Sequence, residues 1–433
     1  MRNIIIDVAV TLPVVLLFLW ILYRWVYESG LAVSQTKHGT VAVSLNEETG
    51  SKHVPTREEL LKVFAFGMGF RVFLYFVAVV IVNIFTEMES FQLNIFSFFI
   101  RSDANSYIQL VDLGYDKFTE NGQHLTLVFF PLYVWIVRIV SFIIPDILVA
   151  AMTVSSLCYS WGCCWLYRLA SEIYGKAAGR ATVLAITFFP FAFFFGGIMT
   201  EGLFLLTVSA SCYYAMKHKW LLFALWGALA SITRMTGILV VLVAFMELVR
   251  HYQLFKRPFE IDSLKKILVR LPLIAIPIVG TLTYLGLNYF IDGDPFAFII
   301  HQKHWNQGSM WISKVFEYML YYLGEEYNEL YGVSIWIPNI TLFILFFVLL
   351  VFAMINKKNS SPLMVYGFAY LIANYSLSWL LSAGRYMSCG IVFFILIGAM
   401  VHKNKIVQII FYVVEFALML LYYYIFLLHG TIL

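Results

Sequence analysis

The chain has 433 residues, of which 61% are hydrophobic and only 12% charged, and its mean hydropathy is +0.83. Roughly a quarter of an average soluble domain is charged, and a soluble globule of this size lacks the interior to hide so much apolar surface. Disorder, a collagen-like fibre and a disulfide scaffold are excluded by the same numbers. The net charge of +4 speaks to membrane topology rather than nucleic-acid binding, because the basic residues lie in short loops between apolar runs.

The expected fold is an all-α polytopic membrane protein. A bilayer-crossing helix needs about 20 apolar residues. Such runs fall at 5–27, 60–85, 146–168, 181–198, 203–216, 220–233, 236–252, 268–290, 336–356, 362–382, 386–401 and 406–428, which predicts 12 spans. The first run lacks a small-residue cleavage site and continues to Trp25 and Tyr27, so it reads as a retained span. The polar segment 28–58, with Gly30, Gly39, Gly50 and Pro55, reads as a linker. Residues 1–59 are therefore a first span plus a cytoplasmic linker, and 60–433 the remaining transmembrane domain. A further apolar run, 126–144, contains Pro131 and Arg138 and is expected to lie along the interface or re-enter the membrane. The five cysteines, Cys158, Cys163, Cys164, Cys212 and Cys389, lie in or beside apolar runs without ligand-like spacing to histidine, and read as structural thiols.

Most of the 29 basic residues fall in 24–62, 168–180, 217–219, 250–270, 357–358 and 403–405. The positive-inside rule puts these segments in the cytoplasm. Both termini and two large loops, 86–145 and 291–335, are then outside.

Candidate chemistry concentrates in those outer regions. The first loop reads Arg101-Ser102-Asp103-Ala104-Asn105-Ser106-Tyr107 and then Asp112-Leu113-Gly114-Tyr115-Asp116. Asp103 can serve as a general base for a hydroxyl group; it can equally be a helix N-cap. Phe129-Phe130-Pro131-Leu132-Tyr133 reads as a turn into an apolar helix. Glu201, in Thr200-Glu201-Gly202, can neutralise a cation or bind a sugar hydroxyl, or simply sit at an interface. Arg234, in Thr233-Arg234-Met235-Thr236-Gly237, and Arg385, in Gly384-Arg385-Tyr386, suit a phosphate or a snorkelling anchor. In His301-Gln302-Lys303-His304-Trp305, Lys303 can approach a phosphate and Trp305 can stack on a sugar; the two histidines lack a third partner at metal-ligand spacing. No P-loop, voltage-sensor or filter sequence is present, and no matched inverted repeat marks a transporter.

The order of these blocks resembles the PIG-V family, the second mannosyltransferases of GPI-anchor synthesis, and its bacterial relatives in the GT-C superfamily of membrane glycosyltransferases. The similarity runs from about residue 60 to 400 and is most specific at Asp103–Tyr115 and Phe129–Tyr133. It departs from the family at Ser102 and Ser106, where aromatic residues are usual, and at Met235, where proline is usual. The resemblance implies a GT-C-like fold and transfer of a hexose, mannose in particular, from a polyprenyl-phospho-sugar donor to a lipid-linked or polymeric glycan acceptor. Transfer would be inverting and outside the cytoplasm, at the plasma membrane of a bacterium or in the ER lumen of a eukaryote. Asp103 would be the base. Arg234, Arg385 and Lys303 would hold the donor phosphate, and Tyr107, Glu201, Gln302 and Trp305 the sugars. No cofactor is required by the sequence and no metal ligand is assigned, although a divalent metal is compatible with this chemistry. Membrane lipids are the expected surroundings, and nucleic acid is not a partner. The alternatives are a polyprenyl-phosphate or lipid transporter and a non-catalytic assembly partner.

Overall fold

The computed structural model describes residues 2–31, 53–86, 90–356 and 359–432. Most of the expected 28–58 linker, namely 32–52, lies outside the described residues. Among the described residues no β-strand forms, and the regular elements are helical. The first are α1 (Arg2–Glu28), α2 (Arg57–Phe85), α3 (Ala104–Leu113), α4 (Pro131–Ser141), α5 (Ile147–Tyr174) and α6 (Lys176–Phe188). Next come α7 (Glu201–Met216), α8 (Trp220–Thr233), α9 (Val240–His251), α10 (Ile261–Ala275), α11 (Pro277–Asp292) and α12 (Ala297–Gln302). The last are α13 (Ile312–Glu326), α14 (Ile337–Ile355), α15 (Ser361–Asn374), α16 (Ala383–Met387), α17 (Ile391–Val401) and α18 (Lys405–Leu428).

Among the described residues six helical stretches are long and apolar enough to cross a membrane: Ile4–Glu28, Arg57–Phe85, Ile147–Tyr174, Ile261–Asp292, Gly332–Ile355 and Lys405–Leu428. They coincide with six of the twelve expected spans. The other six expected spans correspond to shorter helices, and each has a local cause. Pro190 forces Phe189 out of helical geometry, which ends α6 and leads through a 3-10 turn at Ala192–Gly196. Thr233-Arg234 closes α8, and a second 3-10 turn, Met235–Leu239, precedes α9. The run 362–382 stops being helical at Asn374, and 386–401 divides between α16 and α17. Irregular backbone is tolerated at membrane depth only where protein covers it or a cavity borders it. Here it is covered: Phe191, Phe193, Phe194 and Phe195 are buried, as are Ala383 and Met387.

One end of the bundle collects the basic residues. Lys176 at the start of α6 pairs with Glu59 at the start of α2, and Lys217 beyond α7 pairs with Glu172 near the end of α5. Glu247 on α9 accepts from both His218 and Arg250. These contacts level the helix ends and allow depth to be counted from them. At 1.5 Å per residue, α7 (16 residues) rises about 24 Å and α8 (14 residues) about 21 Å, whereas α5 (28 residues) continues to about 42 Å. The short helices therefore stop well below the far end of the long ones.

The segments expected as two large loops carry helices of their own. The first carries α3 and α4, and the second α12 and α13. At 11 residues, α4 is about 16 Å long, too short to cross. It buries Tyr133, Val134 and Val137 against α3, α5 and α8 and turns Trp135 and Ile139 outward. The large exposed apolar side chains elsewhere, such as Val269, Phe290 and Ile406, lie on the long outer helices, as expected of a lipid-facing rim.

Candidate active site at the ends of the short helices

The three interruptions in the short helices each deliver a charged residue to one place. Glu201 is the first residue of α7, where the helix dipole favours a carboxylate. Arg234 closes α8, where the dipole favours a cation. Arg385 lies in the single-turn α16. The fourth member, Asp103, comes from the segment after α2, through Ser102 at φ +53°.

Asp103 stands at the N-cap position of α3 but makes no capping bond. Its Oδ2 instead accepts from Arg385 Nη1 at 2.6 Å. Arg385 Nε donates to Glu201 Oε1 at 2.6 Å, and Arg234 Nη1 donates to the same oxygen at 3.0 Å. Two carboxylates and two guanidiniums thus form one compensated chain, Asp103–Arg385–Glu201–Arg234. A buried charge needs such pairing: the Glu201 side chain is 0% exposed and Arg385 3%. Arg234 is 16% exposed, and Asp103, at 34%, is the most exposed member. Among the described residues Asp103 Oδ1 has no hydrogen-bond partner, and Glu201 Oε2 is buried without one.

Aromatic rings wall the network. The Arg234 guanidinium lies 5.2 Å from the Tyr386 ring centre and 5.6 Å from that of Phe204, and Arg385 lies 5.5 Å from Phe194. Tyr370 fixes the Tyr386 carbonyl with a 2.7 Å hydrogen bond, and Cys389 donates weakly to the Glu201 carbonyl. Two glycines allow this closeness. A Cβ on Gly202 would meet the Ser155 carbonyl oxygen at 2.4 Å, so α7 begins in backbone contact with α5. A Cβ on Gly384 would meet the Phe191 ring at 2.4 Å.

The structure thus brings together Asp103, Glu201, Arg234 and Arg385. Tyr107, one turn after Asp103, is buried between Phe129 and Tyr133 (ring centres 4.9 and 5.3 Å away). Burial and the nearby Asp103 carboxylate push its phenol above its ordinary pKa. Gln302, Lys303 and Trp305 do not join the network: among the described residues none makes an ion pair or side-chain hydrogen bond with it. Lys303 lines a separate cavity of about 480 Å³ with His124, Asp292, His301 and His304. There Asp292 is held by His124 and His301 at 2.7 and 2.6 Å, so His301 is engaged by a carboxylate. The segment just after Trp305 is pinned beside α16's approach, with Gln307 donating to the Trp379 carbonyl and Ser378 to that of Asn306.

Among the described residues no group of three His, Cys, Asp or Glu side chains is arranged to hold a metal ion. The sequence reading missed Phe194, Phe204 and Tyr370, which look like ordinary span residues. It also missed Arg71, although an arginine inside an apolar run is itself a signal.

Residues 130–284 match the family model described as dolichyl-phosphate-mannose-protein mannosyltransferase, a family of the GT-C superfamily. The matched stretch includes Glu201 and Arg234 and excludes Asp103 and Arg385. Neither a curated protein nor a solved structure matches the chain.

Proposed function

We propose that the chain is an integral membrane glycosyltransferase of GT-C type, moving a hexose, mannose in particular, from a polyprenyl-phosphate-linked donor to a lipid- or polymer-linked acceptor on the non-cytoplasmic side. The observation that carries this is the Asp103–Arg385–Glu201–Arg234 network. The family match supports the same chemistry over the stretch that carries Glu201 and Arg234. The PIG-V-like order of blocks extends it to segments outside the matched stretch, including the one that carries Asp103.

In this reading the acceptor hydroxyl gives its proton to Asp103 as its oxygen attacks the anomeric carbon. The bond between that carbon and the phosphate oxygen breaks on the opposite face, and the electron pair leaves with the lipid phosphate. The configuration inverts. Arg385, shared by two carboxylates, acts on the position of Asp103 more than on the leaving group. Arg234 has one carboxylate contact and is the more open cation, so it is the better placed to neutralise the leaving phosphate. Lys303, lining another cavity, has no part in this step. A donor whose chain stays in lipid while its sugar reaches polar groups matches short helices that stop beneath longer ones. No step needs a metal, and neither carboxylate is free of arginine.

The test is incubation of the purified chain with polyprenyl-phospho-mannose and a native lipid extract, with the product identified by mass. A mannosylated product supports the reading. In reconstituted vesicles, lipid flipping without sugar transfer would instead support the transporter alternative.

A further inference from the structure

Arg71 is a buried guanidinium that the active-site network leaves unused. It sits in the middle of α2, 6% exposed, with no carboxylate within ion-pair distance among the described residues. Nη1 donates to the Ala192 carbonyl at 2.6 Å, and the guanidinium carbon lies 4.3 Å from the Tyr159 ring centre. Among the described residues Nε and Nη2 are buried without a hydrogen-bond partner. Arginine keeps its proton in proteins, and an unpaired charge at this depth is costly. Two of its donor atoms thus lack an acceptor among the described residues while the charge persists.

Arg71 lines a cavity of about 220 Å³ whose other walls are mainly apolar: Val72, Leu74 and Tyr75 from α2, Phe99, Met152 of α5 and Phe193. Thr153 and Ser156 supply hydroxyls on the side of α5. Val72 is half exposed on the outer surface of α2, so the cavity reaches the lipid-facing side. Its depth can be counted. Arg71 is 12 residues along α2 from Glu59, about 18 Å above the basic end, and Glu201 is about 24 Å above Lys217. The two sites are nearly level. The Ala192–Gly196 turn stands between them, with Phe193 lining the cavity and the Phe194 ring facing Arg385.

We infer that this cavity binds the phosphate of a single-chain lipid, with Arg71 Nε and Nη2 donating to the phosphate oxygens and the hydrocarbon chain leaving past Val72 into the bilayer. The charge is complementary, and the volume suits a phosphate with the first part of one chain rather than a glycerol with two. The inference deepens the transferase reading, because a polyprenyl phosphate is such a lipid, but its test needs no turnover.

The test is ligand-induced thermal stabilisation of the purified full chain in detergent, using geranylgeranyl phosphate, with geranylgeraniol, inorganic phosphate and dioleoyl phosphatidic acid as the comparison arms. The expected result is stabilisation by geranylgeranyl phosphate alone, with apparent affinity at least tenfold weaker in Arg71→Met. Thr153→Phe, which keeps the arginine and fills the cavity, is expected to weaken it similarly. Asp103→Asn is expected to bind normally while losing transfer, which separates this inference from the catalytic one. Equal stabilisation by phosphatidic acid, or stabilisation by inorganic phosphate alone, overturns the single-chain lipid assignment. If Arg71 only braces the Ala192 carbonyl, Arg71→Met melts lower without ligand and keeps the full ligand response, and the inference fails.

Discussion

Arg385 Nη1 lies 2.6 Å from Asp103 Oδ2, joining two residues 282 positions apart in the chain. The contact takes one carboxylate oxygen and leaves the other without a partner among the described residues. It removes Asp103 from its capping duty on α3 and turns it toward a buried guanidinium instead. A favoured cap residue that does not cap, and is a third exposed beside a cation, is better explained by chemistry than by helix stability.

Asp103→Asn tests that explanation. The amide keeps the shape, and since the carboxylate caps nothing, α3 loses no cap. Expression and melting temperature are expected to stay near the parent values. Transfer from polyprenyl-phospho-mannose is expected to fall by roughly 10²–10⁴-fold, the usual span for loss of a general base. Turnover within a factor of a few of the parent removes Asp103 from the mechanism.

Arg234→Ala distinguishes a phosphate ligand from an interfacial anchor. Its guanidinium touches Glu201 and two aromatic rings, and Arg385 still compensates Glu201 when it is gone. The chain is therefore expected to fold. The donor KM is expected to rise and kcat to drop together, because the cation serves both the bound donor and the leaving phosphate. Steady-state kinetics with donor varied at fixed acceptor decide this: unchanged constants leave Arg234 as an anchor.

The long helices were legible because a run of twenty apolar residues is an unambiguous demand of the bilayer. All six spans long enough to cross fall where the hydropathy put them. The remaining expected spans were not legible as broken helices, because hydropathy does not register the change from helix to 3-10 turn after Pro190 or at Met235. Those breaks are where Glu201, Arg234 and Arg385 come together. Their residue types were readable as costly charges between apolar runs. Their mutual contacts were not, because they depend on which helix ends share a level. Lys303 shows the reverse: a basic residue beside Trp305 suggested a phosphate contact, but packing of α12 on the 125–128 turn carries it to another cavity.

Lys303→Ala is accordingly expected to leave the donor KM and kcat within about twofold of the parent. The side chain is exposed and has no carboxylate partner among the described residues, and surface changes of this kind usually alter stability by no more than about 0.5 kcal/mol. A donor KM raised tenfold or more in the same assay would mean that the loop closes over the network when the donor binds.

The Gly384–Phe191 contact supplies a prediction about how the network is held. A methyl group at residue 384 collides with the Phe191 ring, itself packed 4.8 Å from the Tyr422 ring. Gly384→Ala must displace either that ring or α16. Overpacking of this sort costs about 1–3 kcal/mol, and moving α16 moves Arg385 away from both carboxylates. The single variant is expected to melt lower and to lose most of its transfer activity. Phe191→Leu alone removes part of the ring and is expected to cost stability with little effect on turnover. Combined with Gly384→Ala it makes room for the methyl group, so the double variant should regain activity relative to Gly384→Ala alone. Melting curves and transfer rates of the three variants check this coupling. An additive loss in the double variant would show that the contact does not position Arg385.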